Sequence, residues 1–87
     1  MVDPKQAYKH ATANREELAR SGQAACFYCR QFFPAKTVER WLNDGTAFCP
    51  LCQIDSVIGD ASSLPMTDDF LRLMHHHWFE RNPAEDF

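Results

Sequence analysis

Eighty-seven residues suffice for one compact domain, yet a chain this short buries a smaller share of its surface than a larger one, so an added staple is expected. A hydrophobic content of 45% with 13% aromatics excludes a disordered chain, and no apolar run approaches the roughly 20 residues that cross a membrane. The formal charge of −3 is unsuited to a phosphate backbone, and the polar start "MVDPKQAYKHATANREELARSG" has no apolar signal core, so a cytoplasmic protein is expected.

In chain order, residues 4–21 read as helical, with Pro4 in a first turn, Asn14 as an internal cap before "REEL" and Gly22 as the stop. Ala7, Tyr8, Ala11, Leu18 and Ala19 form only a thin apolar stripe on this arm, residues 1–22. Residues 23–60 follow as a metal module. They hold every cysteine of the chain in two Cys-x-x-Cys pairs, Cys26 with Cys29 and Cys49 with Cys52, separated by 19 residues. That spacing is typical of a four-cysteine zinc site: each pair makes a tight turn that sets two sulfurs at two corners of a tetrahedron. Four thiolates around one Zn²⁺ leave no place for water, so the site is structural rather than catalytic, and its binding energy acts as folding energy. A thioredoxin-like dithiol would need a single pair in a βαβ setting, which the flanking sequence does not offer. Disulfides are disfavoured in a reducing cytoplasm.

Between the pairs, "QFF" reads as a short extended piece, and Pro34 opens an amphipathic helix "AKTVERWL" with Val38, Trp41 and Leu42 on one face, ended by "NDG". "TAF" then leads into Cys49 as a strand-like segment. Beyond Cys52, Ile54, Val57 and Ile58 repeat at three and then one, so that Ile54 and Ile58 stand four apart, which fits one or two helical turns growing out of the second pair. The positions after each pair, where a zinc ribbon wants glycine, are Arg30 and Gln53. A treble-clef-like module is therefore expected ahead of a zinc ribbon, within a small, mainly helical α+β fold. The linker "GDASSLP" begins at Gly59 and leads into residues 61–87, which carry a final helix capped by Thr67. Its apolar face holds Phe70, Leu73, Met74, His77 and Trp78, widened by Leu71 and Phe79; Arg81 and Pro83 mark its end, and Phe27, Phe32 and Phe33 are its expected partners.

The pattern C-x-Y-C (Cys26, Tyr28, Cys29), Phe33-Pro34, Trp41, C-P-x-C (Cys49, Pro50, Cys52), "IDSVIG" from Ile54 to Gly59 and a closing Trp78-Phe79 resembles a family of small, uncharacterised bacterial cytoplasmic proteins. The resemblance spans roughly residues 8 to 79. It implies a zinc site and a cytoplasmic location, and it brings no activity with it.

Four other positions are candidates for binding a partner. Asp55 and Ser56 sit at the exit of the second pair, either as a displayed polar pair or as caps on nearby backbone. Trp41 and Trp78 are either a recognition pair or core aromatics. The run His75, His76, His77 cannot converge on one ion, because successive helical residues point about 100° apart; His77 is expected at the core edge and the other two in solvent. With four thiolates bound to a divalent ion the formal charge falls from −3 to about −5, and the nine Lys and Arg are scattered, so nucleic acid is disfavoured. No nucleophile and base pair suggests an enzyme, and no small-molecule substrate is evident. What remains is a non-enzymatic module that binds protein, either itself or another, with nucleic-acid binding and thiol redox chemistry as the alternatives.

Overall fold

The computed structural model describes residues 3–80. Its centre is a three-stranded antiparallel sheet in the order β2-β1-β3, built from β1 (Gln23–Cys26), β2 (Gln31–Pro34) and β3 (Val57–Gly59). In β1 the side chains alternate between the two faces, and both faces are covered. Ala24 and Cys26 point into one apolar cluster with Phe33, Val57, Leu18, Ala35, Val38, Ala47 and Cys49. Ala25 and Phe27 point into a second, with Ile58, Ala7, Ala11, Phe70, Leu71 and Met74. The sheet is thus the middle of three layers, with the cysteines on one side and the C-terminal helix on the other.

The "VIG" stretch is strand β3, not the expected helix: Ala24, Ala25 and Cys26 stand opposite Gly59, Ile58 and Val57. Adjacent Val57 and Ile58 are both fully buried because they serve opposite faces of the sheet. A strand buried on both sides reads as an unbroken apolar run, and so short a run has no period that separates strand from helix.

The second departure lies between the cysteine pairs. "AKTVERWL" is not a helix: one 3-10 turn, Ala35–Thr37, ends at Val38, whose backbone is extended. The chain then folds back as a hairpin-like loop, with Trp41 bridged to Ala47, the Leu42 N–H donating to the Thr46 carbonyl at 2.8 Å and the Phe48 N–H to Arg40 at 3.0 Å. "NDG" forms its turn, and Gly45 takes the left-handed conformation there (φ +88°) that other residues resist. The extended reading of "TAF" holds at Ala47.

The N-terminal arm is broken rather than continuous. Helix α1 (Pro4–Ala7) passes into a 3-10 turn (Tyr8–Ala11), Ala13 takes a positive φ of 47°, and α2 (Arg15–Ala19) follows, ending before Gly22 is reached. The break lets the arm serve both faces: Ala7 and Ala11 pack in the second cluster, Leu18 in the first. Asn14 stands at the start of α2, but its side chain makes no capping bond. Instead its amide donates to the carbonyls of His10 (2.9 Å) and Val57 (2.8 Å), and its oxygen accepts from the Ala47 N–H (3.2 Å). One buried side chain therefore ties together the arm, strand β3 and the hairpin-like loop.

Helix α2 crosses β3 at Gly59, where a Cβ would come within 2.7 Å of Leu18 Cδ2 and would also strike Ser21. Ser21 cannot turn aside cheaply, because its hydroxyl donates to Glu17 O and accepts from the Ala61 N–H. Gly59→Ala is accordingly expected to destabilise the protein by about 2 kcal/mol through overpacking, measured as a lower midpoint in urea at unchanged slope. An unchanged midpoint would show that α2 yields freely.

After a 3-10 turn at Asp60–Ser62, α3 (Asp68–His75) begins at Thr67, whose Oγ1 accepts from the Phe70 N–H at 3.2 Å as expected. It continues as a wider π-type turn, His76–Glu80. Phe70, Leu71 and Met74 are buried, whereas Leu73, Trp78 and Phe79 remain partly exposed, at close to 40%. Its aromatic partner is Phe27; Phe33 lies across the sheet in the other cluster, and Phe32 is exposed. Arg81 and Pro83, expected to mark the end of this helix, lie outside the described residues.

Candidate metal centre

Two backbone turns of the same design build the site. At Cys26–Arg30 the Arg30 N–H donates to the Cys26 carbonyl (2.7 Å) and the Tyr28 N–H to Cys26 Sγ (3.3 Å). At Cys49–Gln53 the Gln53 N–H donates to the Cys49 carbonyl (2.9 Å), and the N–H groups of Leu51 and Cys52 to Cys49 Sγ (3.3 and 3.4 Å). Arg30 and Gln53 both adopt positive φ, 61° and 68°. The left-handed residue that closes each turn is thus present although neither position is glycine, at some cost in backbone energy. Tertiary pairing brings the turns together. Cys26 lies opposite Val57, the Phe27 N–H donates to Ser56 O (3.0 Å), and the Cys49 N–H donates to Ile54 O (2.8 Å).

The four sulfurs lie within 4.8 Å of one another, with Cys26 and Cys52 at 3.6 Å and Cys29 and Cys49 at 3.8 Å. Ligands about 2.3 Å from a tetrahedral metal stand about 3.8 Å apart, so the cluster has the size that a metal ion requires. A disulfide needs sulfurs near 2.05 Å, and all four thiols are free. Cys26 and Cys49 are fully buried against the first apolar cluster, while Cys29 and Cys52 are half-buried. Burial pushes the Cys26 thiol far up and the Cys52 thiol up to about 11. Burial acts on Cys49 as well, but the N–H groups of Cys52 and Leu51 aimed at its sulfur bring it below the ordinary range. Among the described residues no other group of His, Cys, Asp or Glu could hold a metal ion.

The remaining candidates are scattered. Ser56 is buried and its carbonyl serves the sheet; Asp55 is half-buried. Trp41 leans on the cysteine-side cluster with the Arg15 guanidinium 5.0 Å over its ring. Trp78 lies at the other side, 4.5 Å from Tyr8, so the two tryptophans pack on different clusters and form no pair. In the histidine run His75, expected in solvent, reaches the core, with Nδ1 3.0 Å from the Phe27 carbonyl and Nε2 3.1 Å from Glu80. His76 is exposed and His77 half-buried. Sequence reasoning missed Asn14 as the centre of the buried polar network; its only signal was a polar residue between two helical stretches.

Comparison of the chain with protein-family models, with curated proteins and with solved structures returned no match in any of the three. The chemistry of the site therefore rests on its own geometry: four converging sulfurs that could hold one metal ion.

Proposed function

We propose that the protein is a non-enzymatic interaction module whose fold is held by one structural Zn²⁺ at Cys26, Cys29, Cys49 and Cys52. Tetrahedral sulfur sets suit zinc, and a site filled by four thiolates has no open position at which to activate water. Two like turns joined through an antiparallel sheet, with a strand rather than a helix leaving the second, support a zinc-ribbon-like arrangement over a treble clef. The observation that carries the interaction reading is the set of large apolar side chains left at the surface. Tyr28 (43% exposed) and Leu51 (60%) stand at equivalent tips of the two turns, and Trp78 and Phe79 are close to 40%. Exposed apolar groups gathered on a small protein usually mark a protein contact. The acidic charge disfavours nucleic acid, and no described helix is long and apolar enough to cross a membrane.

Elemental analysis of the purified protein, with thiol titration before and after chelation, tests the metal. About one equivalent of zinc and thiols that react only after chelation are expected; iron in its place, or four freely reactive thiols, would overturn the assignment. Affinity capture from the native host, beside sedimentation of the pure protein and binding of labelled DNA and RNA, tests the role. A monomer that captures nothing and binds an oligonucleotide tightly at physiological salt would move the reading to nucleic acid.

A further inference from the structure

A groove of about 240 Å³ opens between α2 and the Ala35–Trp41 segment, on the cysteine side of the sheet. Leu18, Ala35 and Val38, all nearly inaccessible, form its floor, and the half-buried Trp41 forms one wall. Arg15 and Lys36 are its only charged lining groups. Neither forms an ion pair among the described residues, and Arg15 is held over the Trp41 ring. Three other surface cavities mix both signs: Lys9 and Arg20 with Glu16 and Glu17, Arg40 with Glu39, and Arg15 with Glu16 and Asp44. In a protein of net charge −3, this groove alone of the four joins an apolar floor to cations without carboxylates.

We propose that this groove is the protein's peptide-docking site, and that its occupant is an acidic segment of a partner protein. One aliphatic or aromatic side chain of that segment fills the floor, and Asp or Glu residues beside it meet Arg15 and Lys36. The proposal rests on the interaction-module reading and names the chemistry of the partner. Charge complementarity selects the occupant: paired cations at the rim of an apolar slot reward a carboxylate next to an apolar group and penalise a basic one. An oligonucleotide would meet the same two cations, but two cations are a small footprint for a continuous phosphate backbone, whereas one or two carboxylates need no more. A small metabolite would want convergent buried polar groups to orient it; every buried side-chain polar atom described here already has a partner.

The test is a peptide array on the zinc-loaded full chain carrying W78F, which leaves Trp41 as the only tryptophan. The central residue is Leu, Ile, Phe, Trp or Ser, flanked by Glu and Asp, by Gln and Asn, or by Lys and Arg. Hits are titrated by polarisation of labelled peptide and, for peptides without tryptophan, by Trp41 emission. Apolar-centred acidic peptides are expected to bind at least about tenfold more tightly than their amide or serine-centred counterparts, to shift Trp41 emission and to weaken as salt rises. The exposed-site variants K36E and R15Q, checked for unchanged zinc content and unfolding midpoint, are expected to weaken binding about tenfold or more. Equal binding of acidic and amide peptides, no binding by any apolar-centred acidic peptide, binding unaffected by K36E, or a labelled single-stranded oligonucleotide outcompeting every peptide would each overturn the proposal. A captured partner retained equally by wild type and K36E would sink the groove while sparing the interaction reading. Absence of any partner together with absence of peptide binding would sink both.

Discussion

Replacing Cys49 by Ser is expected to abolish high-affinity metal binding and to leave the chain largely unfolded at room temperature. Structural zinc binding in small modules is worth on the order of 10 kcal/mol, comparable to the whole folding free energy of a domain this size. Cys49 is fully buried beside Ala47, Val57 and Cys26, so the metal and the first apolar cluster form together or not at all. Strand β1 couples the loss to the second cluster, because Ala25 and Phe27 sit between residues that serve the first. Circular dichroism with added zinc gives the measurement: the wild-type unfolding midpoint should climb with free zinc as mass action requires, and that of C49S should not. A C49S protein as stable as wild type, with or without zinc, would show that the apolar clusters alone hold the fold.

The pH dependence should change sign with the metal. Without it, the Cys52 thiol, raised by burial from 9.0 to about 11, contributes stability that is present below pH 9 and is lost as pH rises through about 11. With zinc bound, all four sulfurs are thiolates, and protons compete with the ion, so metal-dependent stability is lost as pH falls. Zinc uptake at neutral pH should release the protons that burial keeps on Cys26 and Cys52, read as acidification of a weakly buffered solution.

Asn14→Ala is expected to lower stability by about 3 kcal/mol, a fall in Tm on the order of 15 °C, although its side-chain hydrogen bonds go to His10, Val57 and Ala47 rather than to a cysteine. Its side chain satisfies the buried Ala47 N–H and Val57 carbonyl, and alanine would leave both groups dry and unpaired. Asn14→Asp can still accept from Ala47 but cannot donate to Val57 or His10, and is expected to recover little. Differential scanning calorimetry of the zinc-loaded proteins decides this; a loss under about 1 kcal/mol for the alanine variant would mean that water replaces the amide.

The features legible in the sequence are those governed by neighbours within a few residues. Two cysteines three apart make a turn whose own N–H groups point at sulfur, so the four cysteines that converge could be named from spacing alone. Thr67 ahead of Asp68-Asp69 caps a helix through its own Phe70 N–H. Elsewhere the local signal admitted two answers, and distant partners chose between them. Ile54, Val57 and Ile58 satisfy a helical spacing, yet the free edge of β1 takes Val57–Gly59 as a strand and both faces then close over it. Val38, Trp41 and Leu42 satisfy one as well, yet Gly45 turns the chain back and the Trp41–Ala47 bridge delivers Cys49 to Cys26. Arg30 and Gln53 lack the glycine signal and still adopt left-handed backbone, each closing a turn through its N–H to the carbonyl of the first cysteine. The cysteine turns and the final helix start were set by chemistry between near neighbours; the strand, the loop and the groove were decided by tertiary pairing, whose energy in so short a chain exceeds the weak preferences of three- to eight-residue segments.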